Sequence, residues 1–257
     1  MNNILELFST EVGSRMWRME HEHSDFDRNV VYVTDSREFL LGERMQGKQV
    51  QNKEENTDYT YYEIGMLIRG LMSGNVNYLW TVMSPICLEQ YRTSFTELRD
   101  VVSTNLSKDY YRSISGFASH NMYHFITGET KSKEIKEIQE KQKTGPLVLG
   151  EQFKLVEEHV KRQQKATREI DRESLLFKKK LNVIGRTLKF GINLLLWHKA
   201  MFEKVDIKDE KELYDLKNEL DKAYVNCTLP EKPNPEPFEK YLIKWRLHKL
   251  KKDGLIE

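Results

Sequence analysis

Cysteine is nearly absent: only Cys87 and Cys227 occur in 257 residues, far apart and in no metal-ligand spacing. That excludes a disulfide framework and a cysteine-built zinc site, and it suits a reducing compartment. Proline is scarce too, and four of the six prolines, Pro230, Pro233, Pro235 and Pro237, crowd into one short segment. No apolar run approaches the roughly 20 residues of a membrane-spanning helix; the best, Ile192 to Trp197, reads as a helix face. The N-terminus carries neither a basic leader nor a long apolar stretch, so no secretory signal, no membrane partner and a cytoplasmic location are expected. An excess of one charge is also missing. With 41 basic and 40 acidic residues there is no bulk field to attract nucleic acid, so any RNA or DNA contact must come from a local patch. Internal repeats and low-complexity tracts are absent.

What is present is a chemical pattern near the start. Val12-Gly13-Ser14-Arg15 is followed, ten residues beyond Ser14, by Ser24-Asp25-Phe26-Asp27 and then by the apolar run Val30-Val31-Tyr32-Val33. On a strand, residues i and i+2 share a face, so Asp25 and Asp27 project together with Phe26 behind them. Neighbouring carboxylates repel, but as a pair they form a hard-oxygen site for Mg²⁺, which takes its other ligands from water and phosphate. A glycine lets the backbone approach a phosphate closely, and the neighbouring N–H groups with the Ser14 hydroxyl can bind its oxygens. Together these residues give the strand, turn, helix, strand context of a metal-bound nucleoside triphosphate site.

A second motif overlaps the first. His21-Glu22-His23-Ser24-Asp25 has the His-X-His-X-Asp spacing of a binuclear metal hydrolase. Such an enzyme needs another histidine after the aspartate and more from later strands. Here Phe26 follows, and His120, His124, His198 and His248 fall in stretches that read as helices.

The span from Gly13-Ser14-Arg15 through Ser24-Asp25-Phe26-Asp27 resembles a nucleotidyltransferase family of the DNA polymerase beta superfamily, whose pattern is Gly-Ser-Arg, a helical stretch, then Ser-Asp-aromatic-Asp. Asp58-Tyr59-Thr60-Tyr61-Tyr62-Glu63, Leu71 to Asn77 and Met83-Ser84-Pro85 are similar to its segment of an aspartate, a helix ending in Gly-Asn-Pro-Asn, and a Ser-Pro. Lys180 to Lys189 resembles its Lys-X-X-X-X-X-Arg helix, and Leu229-Pro230-Glu231-Lys232-Pro233 its Leu-Pro-X-X-Pro segment. The chain departs from the pattern at Arg28-Asn29, where apolar residues are usual, and at Leu181-Asn182, where a histidine is common.

The resemblance implies a metal-dependent transfer of a nucleoside monophosphate from a nucleoside triphosphate to a hydroxyl, releasing pyrophosphate. Asp25, Asp27 and Asp58 are then the catalytic carboxylates and ligands of Mg²⁺ or Mn²⁺. Gly13, Ser14, Arg15 and Ser24, with Lys180 and Arg186, are the nucleotide-binding residues. The acceptor is a hydroxyl on RNA, a protein or a small molecule, and no oligomeric state is implied. The alternative from another class is a regulatory protein that binds the nucleotide without turnover.

The expected fold is α+β: a small mixed sheet as catalytic core over residues 1–90, then a largely helical region over 91–257. Strands are expected near Leu7–Val12, Val30–Val33 and Gln49–Asn52. From Thr60 the periodicity turns helical, with Tyr61, Ile64, Leu67, Ile68, Leu71 and Met72 on one face until Gly74-Asn75 stops it. Ser94-Phe95-Thr96-Glu97 carries a capping-box signature before the next helix. Tyr110, Ile114, Phe117, Ala118, Met122 and Phe125 form a stripe read as core, not as a base-stacking platform. Residues 127–150, rich in Lys, Glu and Gln, read as an exposed linker. A charged helix follows from about Glu151, and a longer one spans about Arg172 to Phe202, basic at Lys178-Lys179-Lys180 and Arg186. The proline segment cannot be helical throughout, and a last amphipathic helix presents Phe238, Tyr241, Leu242 and Trp245 to the domain.

Overall fold

The β-branched and aromatic run from Val30 to Val33 is buried on both faces and forms the middle of the second strand. The computed structural model describes residues 3–22, 24–42, 48–52, 56–88, 92–126 and 174–257; the expected linker over 127–150 and the charged helix after it lie outside these. The strands are β1 (Leu5–Glu11), β2 (Phe26–Val33), β3 (Lys48–Asn52) and β4 (Thr57–Glu63). They order as β1-β2-β4-β3. The outer pairs are antiparallel and the central pair β2/β4 is parallel, so the sheet is mixed.

The helices are α1 (Gly13–Met16), α2 (Ser36–Leu40), α3 (Ile64–Met72), α4 (Val76–Met83), α5 (Arg92–Thr104), α6 (Tyr110–Ile126), α7 (Leu175–Trp197), α8 (Glu210–Asn226) and α9 (Pro235–Lys252). The fold is α+β as the sequence implies. One apolar core runs from Phe8, Val31 and Val33 of the sheet through α3, α4 and α6 to Leu188, Leu194 and Leu220 of the C-terminal helices.

Four local readings change. The helical periodicity expected from Thr60 begins only at Ile64, and Tyr61 belongs to β4. The run Tyr59-Thr60-Tyr61-Tyr62 has strand chemistry, and Glu63 closes it by accepting the N–H groups of Gly65 and Met66. Ser94 is not a cap: α5 has already begun at Arg92, and its hydroxyl donates to the Leu7 carbonyl of β1. The long basic helix is shorter than expected, capped by Ser174 and ended at His198, whose φ of 53° breaks the helix. The sequence reading passes over α8 altogether, although Asp209 caps it by accepting Glu212 N–H at 2.9 Å. Other expected stops are present. Gly74, at φ +69°, ends α3 and Asn75 caps α4. The proline segment stays extended until Asn234 caps α9, with Pro235 in its first turn.

Candidate active site

Asp27 is the second residue of β2, and its register partner in β4 is Asp58. Paired residues of neighbouring strands project to the same side of a sheet, so the parallel register sets these carboxylates side by side. Asp25 stands just before β2 and is exposed. All of this lies at the rim of the sheet where β1 ends and β2 and β4 begin.

Gly13 shapes the floor of the rim. Its φ is +65°, and a Cβ placed on it would stand 1.9 Å from Asp27 Oδ2, so only glycine leaves room for the carboxylate. The backbone is tied in beside it, since Val12 N–H donates to the Asp27 carbonyl at 2.8 Å. Ser14 follows in the single turn of α1, and its hydroxyl has no partner among the described residues.

The electrostatics follow from this crowding. Burial pushes the Asp27 carboxyl above its usual range, and the charges of Asp58 and Asp25 push it further; Lys179 and Arg186 of α7 pull the other way. Burial lowers Arg186 to about 10, while Asp27 opposes that shift. The Arg186 guanidinium lies 5.1 Å from the centre of the Trp17 ring, and its Nε is buried with no hydrogen-bond partner among the described residues. Trp17 itself is locked by edge contacts to Trp80, Phe190 and Phe202. Arg186 is thus a half-buried cation with spare donor capacity, held by an aromatic wall near a carboxylate group.

The structure therefore brings together Asp25, Asp27, Asp58, Gly13, Ser14 and Arg186. Other expected residues are placed differently. Arg15 stacks on Phe26, 3.6 Å from the ring centre, and donates to the Ser24 carbonyl at 3.5 Å. The Ser24 hydroxyl accepts the N–H of His21 at 2.9 Å, which makes both residues braces for the segment carrying Asp25. On α7 the charge of Lys179 reaches Asp27 together with that of Arg186. Lys179 precedes Arg186 by seven residues, close to two helical turns. That spacing is a signal that sequence reading missed.

The departures have structural uses. Arg28 pairs with Glu11, its neighbour across β1/β2, at 3.6 Å. Asn29 is buried and donates to Thr81 Oγ1 at 2.7 Å, locking β2 to α4. Leu181 joins the core, and Asn182 Oδ1 accepts the N–H of Ile207 at 2.7 Å.

The hydrolase motif gains no support. His23 lies outside the described residues, His21 is exposed, and His198 is bonded to Thr228 Oγ1 at 3.2 Å. Among the described residues no group of three or more His, Cys, Asp or Glu side chains stands as a ready metal cluster, the Asp25, Asp27 and Asp58 set included.

A family model described as RlaP, the RNA repair pathway DNA polymerase beta family, matches residues 2–240. The chain belongs to this family. No curated protein matches the chain. Membership of the RlaP family places it among polymerase beta-like nucleotidyltransferases. A divalent cation suits this donor set chemically: the register sets Asp27 and Asp58 on neighbouring strands facing the same side, and Asp27 is held between their repulsion and partial burial. A hard cation relieves that conflict.

Proposed function

We propose that this protein is a metal-dependent nucleotidyltransferase that moves a nucleoside monophosphate from a nucleoside triphosphate to a hydroxyl acceptor, with release of pyrophosphate. The observation that carries the reading is the pairing of Asp27 with Asp58 across β2/β4 beside a Gly13 that no other residue can replace without striking Asp27.

Asp25, Asp27 and Asp58 would hold Mg²⁺ or Mn²⁺, which when bound lowers the pKa of the attacking hydroxyl and steadies charge on the leaving group. The protein's own groups do the positioning. Gly13 leaves the rim open to a phosphate, and the Ser14 hydroxyl is free to donate to it. Arg186 and Lys179 offer positive charge to the triphosphate from α7, with Lys180 beside them. Arg15 and Ser24 hold the Asp25 segment in place. In the acyclic sequence of events, the acceptor oxygen attacks the α-phosphorus, the bond to the bridging oxygen breaks, and pyrophosphate leaves with that bond's electrons. The acceptor proton passes to solvent or to a carboxylate of the rim.

The family description points to RNA repair, which makes an RNA hydroxyl the acceptor class of first choice. Calorimetric titration with a non-hydrolysable triphosphate tests the pocket separately from any acceptor. Binding that needs Mg²⁺ or Mn²⁺ and is lost in Asp58→Asn is the expected result. Metal-independent binding unaffected by that change would contradict the carboxylate assignment.

A further inference from the structure

Arg186 of α7 is held beside the carboxylate rim by an aromatic ring and not by an acid. Its guanidinium carbon lies 5.1 Å from the centre of the Trp17 ring, and no carboxylate stands within ion-pair distance of it among the described residues. The difference is a chemical one. A carboxylate partner would occupy the N–H edge of the guanidinium and cancel its charge. A ring attracts the cation through its negative face and takes none of the five N–H donors. An arginine supported in this way keeps its charge and its planar fork for a phosphate.

Trp17 is built as a fixed support. It is 1 % exposed and meets three rings at steep angles: Trp80 of α4 at 5.7 Å, Phe190 of α7 at 5.8 Å, and Phe202, just beyond α7, at 4.9 Å. A large ring wedged among such neighbours has one orientation open to it. The same residue closes the turn that carries Ser14, because Trp17 N–H donates to the Ser14 carbonyl at 3.1 Å. Gly13, the residue before Ser14, stands directly against the Asp27 carboxylate. Trp17 therefore joins two parts of the site that come from distant stretches of chain. Its backbone is tied to the Gly13-Ser14 turn at the end of β1, and its ring carries the cation of α7.

We infer that Trp17 is a positioning residue of the triphosphate site, holding the Arg186 guanidinium in register with the Gly13-Ser14 turn so that both address the same phosphate chain. The inference rests on the proposed transferase reading and adds how the sheet half and the helical half of the site are aligned. Trp17 acts through Arg186 and touches no substrate itself.

The test replaces Trp17, in the full chain and at that position alone, by mono-, di- and trifluorotryptophan. Fluorine weakens the negative face of the ring and leaves its shape nearly unchanged, so a role in packing alone would not follow the series. The Kd of a non-hydrolysable nucleoside triphosphate with Mg²⁺, from calorimetric titration, should rise with each added fluorine, to roughly tenfold at three, as expected of a partly desolvated cation–ring contact. The same series at Trp80, whose ring crosses that of Trp17 at 87°, should leave Kd unchanged. In an Arg186→Gln background binding should already be weaker, and fluorination at Trp17 should weaken it no further. A Kd indifferent to fluorination at Trp17, or one that rises as steeply in the Arg186→Gln chain, would overturn the inference while leaving the transferase reading in place. Absence of metal-dependent triphosphate binding by the unsubstituted protein would overturn both.

Discussion

Gly13 carries the tightest steric constraint at the rim. Alanine there meets a left-handed backbone, which costs about 1–2 kcal/mol in an L-residue, and its methyl group would collide with Asp27. Gly13→Ala should therefore lose nearly all transfer while lowering the midpoint of thermal unfolding by only a few degrees, as kinetics and calorimetry on one preparation would reveal. Asp27 makes a prediction of the opposite sign. Its folded pKa is raised above the ordinary 3.8, so the unfolded chain gives up this proton first and the carboxylate costs stability at neutral pH. That cost shrinks as pH falls through the raised folded value and is gone below 3.8. In metal-free protein Asp27→Asn should thus melt higher than wild type at neutral pH and equally at acid pH; a variant that melts lower at neutral pH would show the carboxylate to be a stabilising ligand of something else. At α7, Lys179→Ala should raise KM for the triphosphate, since the charge of Lys179 reaches Asp27 along with that of Arg186. An unchanged KM would remove Lys179 from the triphosphate site.

Among the elements, α7 joins the rim to the helical layer. Gly185 lets it pack closely, because a Cβ there would stand 2.3 Å from Ile207 Cγ1. Gly185→Val should push the 205–211 segment outward and destabilise the fold by about 1–3 kcal/mol, the usual cost of overpacking, visible as a shifted denaturation midpoint. Elements were unevenly legible in the sequence. The catalytic strand and the α3 stop were plain, since Val30 to Val33 and Gly74-Asn75 carry their signals locally. β4 was not, because the alternation of Tyr59, Tyr61 and Glu63 runs without a break into the helical spacing of α3. Ser94 followed by Glu97 imitates a cap, and tertiary contact with Leu7 overrides it. In α8 the Asp209-X-X-Glu212 signal was present but its apolar face is sparse, with Leu213, Leu216, Leu220 and Ala223 buried. As for the site, its residue types were legible, whereas the Asp27–Asp58 register and the reach of the Lys179 charge to Asp27 depend on how distant segments meet.

At the scale of the molecule, the end of α9 is fastened to the start of α2 and to Asn3 ahead of β1. Lys249 is 1 % exposed and bonds Asp253 at 2.5 Å, while Asp253 also accepts Ser36 N–H at 3.1 Å and reaches Asn3 at 3.4 Å. Partial burial pushes the Asp253 carboxyl up, but the bonds from Lys249 and Ser36 outweigh it and hold it at about 2. A depressed carboxylate stabilises above the unfolded value and ceases to do so as pH falls, here from 3.8 towards about 2. Asp253→Asn leaves the Lys249 ammonium buried and unpaired, which should cost about 3 kcal/mol. The difference in melting temperature from wild type should narrow as pH approaches 2; a gap that stays constant to that pH would show that the charge of Asp253 is not the fastening.

The central claim is nucleotidyl transfer at the Asp25, Asp27 and Asp58 rim, and its most direct test follows the α-phosphate. Each of the ribonucleoside triphosphates, labelled at that phosphorus, is incubated with the protein, Mg²⁺ or Mn²⁺ and separate RNA, protein and small-molecule fractions, beside Asp27→Asn. The account predicts metal-dependent label in the RNA fraction with equimolar pyrophosphate, absent in the variant. Label transferred equally well by Asp27→Asn would contradict it.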